Sequence, residues 1–249
     1  MGTASYLQTP LILLGLILAY LVNHLANSLP NYRSLSQPVC RYCLGTQPWS
    51  IFLFGKKCPE CGKTKGCRFW LMLGLIPILF LLLTGGEAVP QPFWLLILMI
   101  TYFTTVFVID IEHKVILDQT TYFGVFFGLI AGTYSHGLLN TLLGGLAGFF
   151  FFYLIYKAGK LLFSKIKFFG AGYTGDPIGF GDVKLAAVIG LVLGWPSIGT
   201  GLVAAIFIGG IFSLLFIFYQ KLLGKYQPFI QLPYGPYLIA GMVFAILVI

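Results

Sequence analysis

The chain has 249 residues, of which 58% are hydrophobic and only 9% charged, and its mean hydropathy is +0.92. That balance excludes an ordinary soluble domain and describes a polytopic membrane protein. The formal net charge of +8 reads as a topology signal rather than as a nucleic-acid-binding surface.

A helix crosses a bilayer with about 20 apolar residues. Eight runs approach that length: 11–29, 69–85, 93–111, 120–136, 138–156, 183–197, 198–219 and 233–249. The expected fold is therefore an all-α polytopic membrane protein of about eight transmembrane helices, with a small cytosolic zinc-ribbon-like insertion between the first two. The expected domains are a first transmembrane helix (1–29), a cytosolic four-cysteine zinc-binding domain (30–68) and a transmembrane domain that carries Asp110 and Asp182 (69–249). The first run lacks a cationic lead-in and a small-residue cleavage site, so it reads as a retained helix rather than a signal peptide. Asn23 and His24 near its inner end read as helix-packing groups.

All five cysteines lie in the connection that follows. Cys40-Arg-Tyr-Cys43 and Cys58-Pro-Glu-Cys61 form two C-x2-C knuckles, the spacing of a closed tetrahedral zinc site, with Gly62 placed as a turn glycine. A redox or disulfide pair is the alternative, which a reducing cytosol disfavours. Cys67 falls outside the pattern. The third run closes on Asp110 in Phe-Val-Ile-Asp-Ile-Glu-His (107–113). Asp118, ahead of Gln119-Thr120-Thr121, reads as the N-cap of the fourth helix. Gly144 and Gly148 give the fifth a close-packing face. Asp176-Pro177 reads as a turn, and Gly179-Phe-Gly-Asp182-Val-Lys184 opens the sixth helix, with Lys184 snorkelling to the interface.

The fifteen Lys and Arg residues all fall in alternate connections: 30–68, after the third run, between the fifth and sixth, and after the seventh. This bias puts those connections in the cytoplasm and both termini outside. It also puts Asp110 and Asp182 at the same, cytoplasmic, face. A carboxylate at the edge of a bilayer core needs a partner or a task. Two of them sharing a proton can hydrolyse a peptide bond, one activating water while the other protonates the carbonyl oxygen or the leaving amine. Taken singly, each aspartate is equally well a solvated helix-end group, and Asp182 also suits a helix N-terminus. Gly179 and Gly181 allow close backbone approach to a substrate. Five of the seven acids (Asp110, Glu112, Asp118, Asp176, Asp182) fall around these two motifs, so Glu112 and Asp176 are candidate substrate-binding groups for a basic peptide. Two other readings stand beside this one: an ion-coupled transporter with the aspartates as ion ligands, and a presenilin-like intramembrane peptidase.

At these residues the chain resembles the type IV prepilin peptidases, membrane aspartyl enzymes also called leader peptidase/N-methyltransferases. The resemblance is carried by Asn23 to Pro30, the paired knuckles, Ile109-Asp110-Ile-Glu-His-Lys-Val-Ile-Leu-Asp118, Gly179-Phe-Gly-Asp182-Val-Lys, and Leu232-Pro-Tyr-Gly-Pro-Tyr-Leu238. It implies an inner-membrane endopeptidase with Asp110 and Asp182 as its catalytic pair, cutting the leaders of type IV prepilin or pseudopilin precursors at the cytoplasmic face. It also implies, in many members, methylation of the new N-terminus from S-adenosylmethionine. Two departures from the family pattern stand out. Leu117 replaces a proline, and Lys63–Phe69 stands where an Arg-Tyr-Pro-x-x-Glu-like stretch is expected, which leaves the methyltransferase activity open.

Overall fold

The computed structural model describes residues 3–32, 37–84, 92–168, 179–224 and 232–248. Among these residues the chain is all-helical: α1 (Thr3–Tyr32), α2 (Trp49–Leu53), α3 (Cys67–Thr84), α4 (Phe93–His113), α5 (Asp118–His136), α6 (Leu138–Phe168), α7 (Phe180–Leu193), α8 (Ser197–Leu222) and α9 (Gly235–Val248). The only β pairing there is an isolated antiparallel bridge between Val39 and Thr46. Four helical stretches are long and apolar enough to cross a membrane: Leu11–Tyr32, Phe93–His113, Leu138–Leu162 and Ser197–Leu222. Cys67–Leu82 and Gly235–Val248 are shorter apolar helices. The chain divides into two compact units, Met1–Val108 and Ile109–Ile249.

In the first unit α1 packs on α3. Gly15 makes this possible, because a Cβ there would lie 2.7 Å from the Pro77 Cα in the middle of α3. Ala19, Val22 and Ala26 of α1 and Ile76 and Phe80 of α3 are buried. Polar groups extend the contact towards the cysteine segment. The Asn23 side-chain amide donates to the Ala19 and Phe69 carbonyls, and Asn27 donates to the Val39 carbonyl. His24 lies 5.0 Å from the Trp49 ring. Asn23 therefore packs between α1 and α3, as expected, whereas His24 packs against Trp49 and Phe52 of the cysteine segment.

In the second unit α7 is the central element, packed by α5, α6 and α9. At 14 residues it measures roughly 21 Å, shorter than a bilayer core of about 30 Å. Val183, Leu185, Ala186, Val188, Ile189 and Leu191 are all buried, and a helix that is apolar all round belongs inside a bundle. Close approach comes from small residues: Gly144 meets the Gly190 carbonyl and Gly148 meets the Ala186 carbonyl, with no room for a Cβ at either. Gly241 sits in the same way against Gly201 and Ala205 between α8 and α9. Such contacts substitute for the missing hydrophobic drive between helices in lipid. The apolar run 183–197 does not continue as one helix. Gly194 turns into the left-handed region (φ 68°) and closes α7 by donating its N–H to the Gly190 carbonyl.

Candidate active site and candidate metal centre

Asp110 stands one turn before the end of α4, and Asp182 in the first turn of α7. They are 3% and 8% exposed, so both carboxylates have been taken out of solvent. They lie close enough to interact electrostatically. The start of α9 reaches Asp110. The Gly235 N–H donates to Asp110 Oδ2 at 2.9 Å. A Cβ at this position would sit 2.6 Å from that oxygen and 3.4 Å from Leu185 Cδ2, so only glycine fits between Asp110 and α7. The neighbouring Tyr234 interacts with Asp182. Its ring is clamped by Phe152 and Tyr237, each 5.7 Å away, and lies over Gly209.

Gly179 is the N-cap of α7, in extended conformation, and its carbonyl accepts the Asp182 N–H at 3.1 Å. A Cβ on Gly179 would contact the Asp182 carboxylate at 3.5 Å, whereas one on Gly181 would press on the Ile116 side chain at 2.9 Å. The two glycines thus face different neighbours: Gly179 the carboxylate, Gly181 the α4–α5 turn. Glu112 is half-buried in the last turn of α4. Asp176 lies outside the described residues.

Asp118 is not the N-cap of α5. Leu117 holds that position, and its carbonyl accepts the Thr121 N–H and both the Thr120 and Thr121 hydroxyls. The Asp118 carboxylate instead forms an ion pair with Lys184. That lysine was expected to snorkel. It lies 5.4 Å from the Phe180 ring and joins the start of α5 to the first turn of α7.

In the first unit the four knuckle cysteines converge. Their sulfurs all lie within 4.8 Å of one another, with Cys40–Cys61 at 3.8 Å and Cys43–Cys58 at 3.7 Å. A tetrahedron of thiolates with zinc–sulfur bonds of about 2.3 Å has edges of about 3.8 Å, so the four residues fit zinc. The two knuckles are built alike. Cys40 N–H donates to the Gly45 carbonyl and Leu44 N–H to Cys40; Cys58 N–H donates to the Lys63 carbonyl and Gly62 N–H to Cys58. Gly62 (φ 67°) and Leu44 (φ 59°) both take the left-handed turn after the second cysteine. The leucine is held there by the Tyr32 hydroxyl, which donates to its carbonyl at 2.7 Å. The packed thiols are pushed in opposite directions: the backbone amides of Cys61 and Glu60 hold Cys58 down to about 7, whereas the neighbouring thiols push Cys43 up. Zinc requires all four as thiolates.

The model of the type IV leader peptidase family matches residues 93–214. Over these residues the chain is similar to this family. Relatives named prepilin leader peptidase/N-methyltransferase include the Aeromonas salmonicida protein, 30% identical over 193 residues, which are 73% of this chain and 61% of that one. The Aeromonas hydrophila protein is 29% identical over the same shares. The Bacillus subtilis protein is 27% identical over 95% of this chain and 92% of its own length. The chain thus spans about three-fifths of the Aeromonas proteins and nearly all of the Bacillus one. No solved structure matches. The family-model match contains both aspartates and ends before Tyr234 and Gly235, the residues that the sequence reading left without a role.

Proposed function

We propose that this protein is an intramembrane aspartyl endopeptidase that removes the leader from type IV prepilin-like or pseudopilin-like precursors at the cytoplasmic face of the inner membrane. The observation that carries the reading is the burial of Asp110 and Asp182 together, from two separate helices, with the Gly235 amide aimed at one of them. Two carboxylates in a low-dielectric site hold one proton between them more readily than none. The ionised one removes a proton from water as the water attacks the scissile carbonyl. The protonated one gives its proton to the carbonyl oxygen, forming a gem-diol. As this collapses, the carboxyl that took the water proton passes it to the leaving amine. The gem-diol hydroxyl returns a proton to the other carboxylate, so the pair again holds one. The Gly235 N–H donates to Asp110 Oδ2, which favours Asp110 as the ionised partner and Asp182 as the proton donor. Both aspartates sit in terminal helical turns rather than at mid-helix, which favours a peptidase over ion ligands of a transporter.

Each of the eight apolar runs overlaps a different helix, four of them long enough to cross a membrane by themselves, and all eight are taken as membrane segments. With the charge bias of the connections this supports termini outside and the dyad facing the cytoplasm. On this reading 1–29 is the first span, 30–68 a cytosolic domain with structural zinc on Cys40, Cys43, Cys58 and Cys61, and 69–249 the peptidase body. Zinc there would hold together a segment with few large apolar groups and take no part in hydrolysis. Glu112 and Asp176 would attract the basic leader, and Gly179 and Gly181 would admit its backbone. The relatives' names add N-methylation, for which S-adenosylmethionine would be the donor. Co-expression with a prepilin, followed by the mass of the product, tests both steps. Leader loss supports the peptidase, an added methyl group supports the second activity, and an intact precursor contradicts the reading.

A further inference from the structure

Beside the cysteine cluster a cleft opens where α1 and α3 meet the knuckles. Asn27 of α1, Arg41 and Tyr42 of the first knuckle, and Lys63, Lys65 and Arg68 line it, together with Cys40 and Cys58. Four of its lining residues are cationic and none is acidic. Lys65 donates to Gln47 Oε1 at 2.9 Å, Arg68 donates to Asn27 Oδ1 at 2.5 Å, and Lys63 lies 4.8 Å from the Tyr42 ring. One Zn²⁺ with four thiolates carries a charge of about two minus, so the cations of the cleft exceed even a filled metal site. An anion is the matching ligand.

A second feature says where that anion comes from. Lys65 also lies 5.0 Å from the Phe52 ring and 5.8 Å from that of Phe69. These rings continue in edge contacts to Trp49 on one side and Trp70 on the other, at 6.2 and 5.4 Å. Trp49, Trp70 and the nearby Phe54 are 50%, 56% and 74% exposed. Tryptophans outside a core, next to the ends of apolar helices, mark the headgroup level of a bilayer. Basic pockets at that level bind anionic headgroups.

We propose that this cleft seats the phosphate of an anionic phospholipid, held by Arg41 and Lys63, while Trp49, Phe54 and Trp70 enter the boundary between headgroups and acyl chains. The site is independent of the peptidase reading. It would fix the cysteine segment against the membrane surface, with each cation contributing about fivefold to headgroup binding.

The test uses the purified, zinc-loaded full chain in detergent. Thermal unfolding is followed against short-chain phosphatidylglycerol, short-chain phosphatidylcholine and inorganic phosphate. Saturable stabilisation by phosphatidylglycerol alone is expected, weakened about fivefold in Lys63→Gln and more in Arg41→Gln/Lys63→Gln, with zinc content unchanged. Lys63→Arg should bind as the parent does. Equal response to the two lipids, or an unchanged response in the double variant, overturns the site. A response to inorganic phosphate as strong as that to phosphatidylglycerol overturns the lipid assignment in favour of a free-anion site. If the double variant loses zinc, the exposed Lys63→Gln alone is decisive.

Discussion

Gly235 is the residue on which the geometry of the proposed dyad turns. Its N–H reaches Asp110 Oδ2 at 2.9 Å, and a methyl group there would stand 2.6 Å from the same oxygen. Alanine must push the carboxylate aside, and a displacement of about 1 Å at a reacting group costs about a hundredfold in rate. Gly235→Ala is therefore expected to lower kcat about a hundredfold with the helices intact by circular dichroism; near-parental kcat would remove Gly235 from the site. Glu112 supplies a second residue-scale prediction. It stands in the last turn of α4, two positions beyond Asp110 and outside the proposed chemistry. Glu112→Gln should raise KM for a basic-leader substrate with little change in kcat. The effect should fade at high salt, because exposed charges are screened beyond about 8 Å at physiological ionic strength. A KM that stays put at low salt would leave Glu112 without a binding role. The aspartates were legible in the sequence because a charge at the end of an apolar run is anomalous. Gly235 was visible only as part of the Leu232–Leu238 string; its contact with Asp110 was not, because it consists of a backbone N–H and the absence of a Cβ, neither of which residue chemistry reveals.

At the scale of elements, the Asp118–Lys184 pair joins the first residue of α5 to the first turn of α7. The Asp118 side chain is 66% exposed and that of Lys184 29%. Such pairs contribute at most about 1 kcal/mol. A double-mutant cycle with Asp118→Asn and Lys184→Met should give a coupling below about 1 kcal/mol in unfolding and only a few-fold loss of cleavage; complete loss of activity in Asp118→Asn would make it a member of the dyad. Helix positions were legible as apolar runs, but the limits of α5 and α7 were not. The N-cap was placed on Asp118 because its side chain can cap, whereas tertiary pairing with Lys184 takes the carboxylate away and leaves Leu117 at the cap. The run 183–197 reads as one span because Gly194 and Pro196 interrupt it only through backbone conformation. The packing faces of α6 and α7 were half visible: Gly144 and Gly148 announce a close contact, while the partner, Gly190 and Ala186 on α7, emerges only in three dimensions.

For the molecule as a whole, the cysteine segment and the dyad are separate devices in separate units. The convergence of the four cysteines was the most legible part, since two C-x2-C knuckles allow few alternatives. The matching backbone turns at Leu44 and Gly62 were visible only at the glycine. Purified protein is expected to hold about one zinc per chain. Replacing Cys40, Cys43, Cys58 or Cys61 with serine should release it, whereas Cys67→Ser should not; disulfides among the four in the cell would contradict the site. Zinc loss is expected to lower the stability of the first unit and to affect cleavage only indirectly. The central claim rests on the two buried carboxylates, and one measurement bears on it most directly. Asp110→Asn and Asp182→Asn, each verified as membrane-inserted and zinc-loaded, are assayed for prepilin cleavage by the mass of the product. The account predicts that each variant leaves the precursor intact. Substantial cleavage by either one would contradict it.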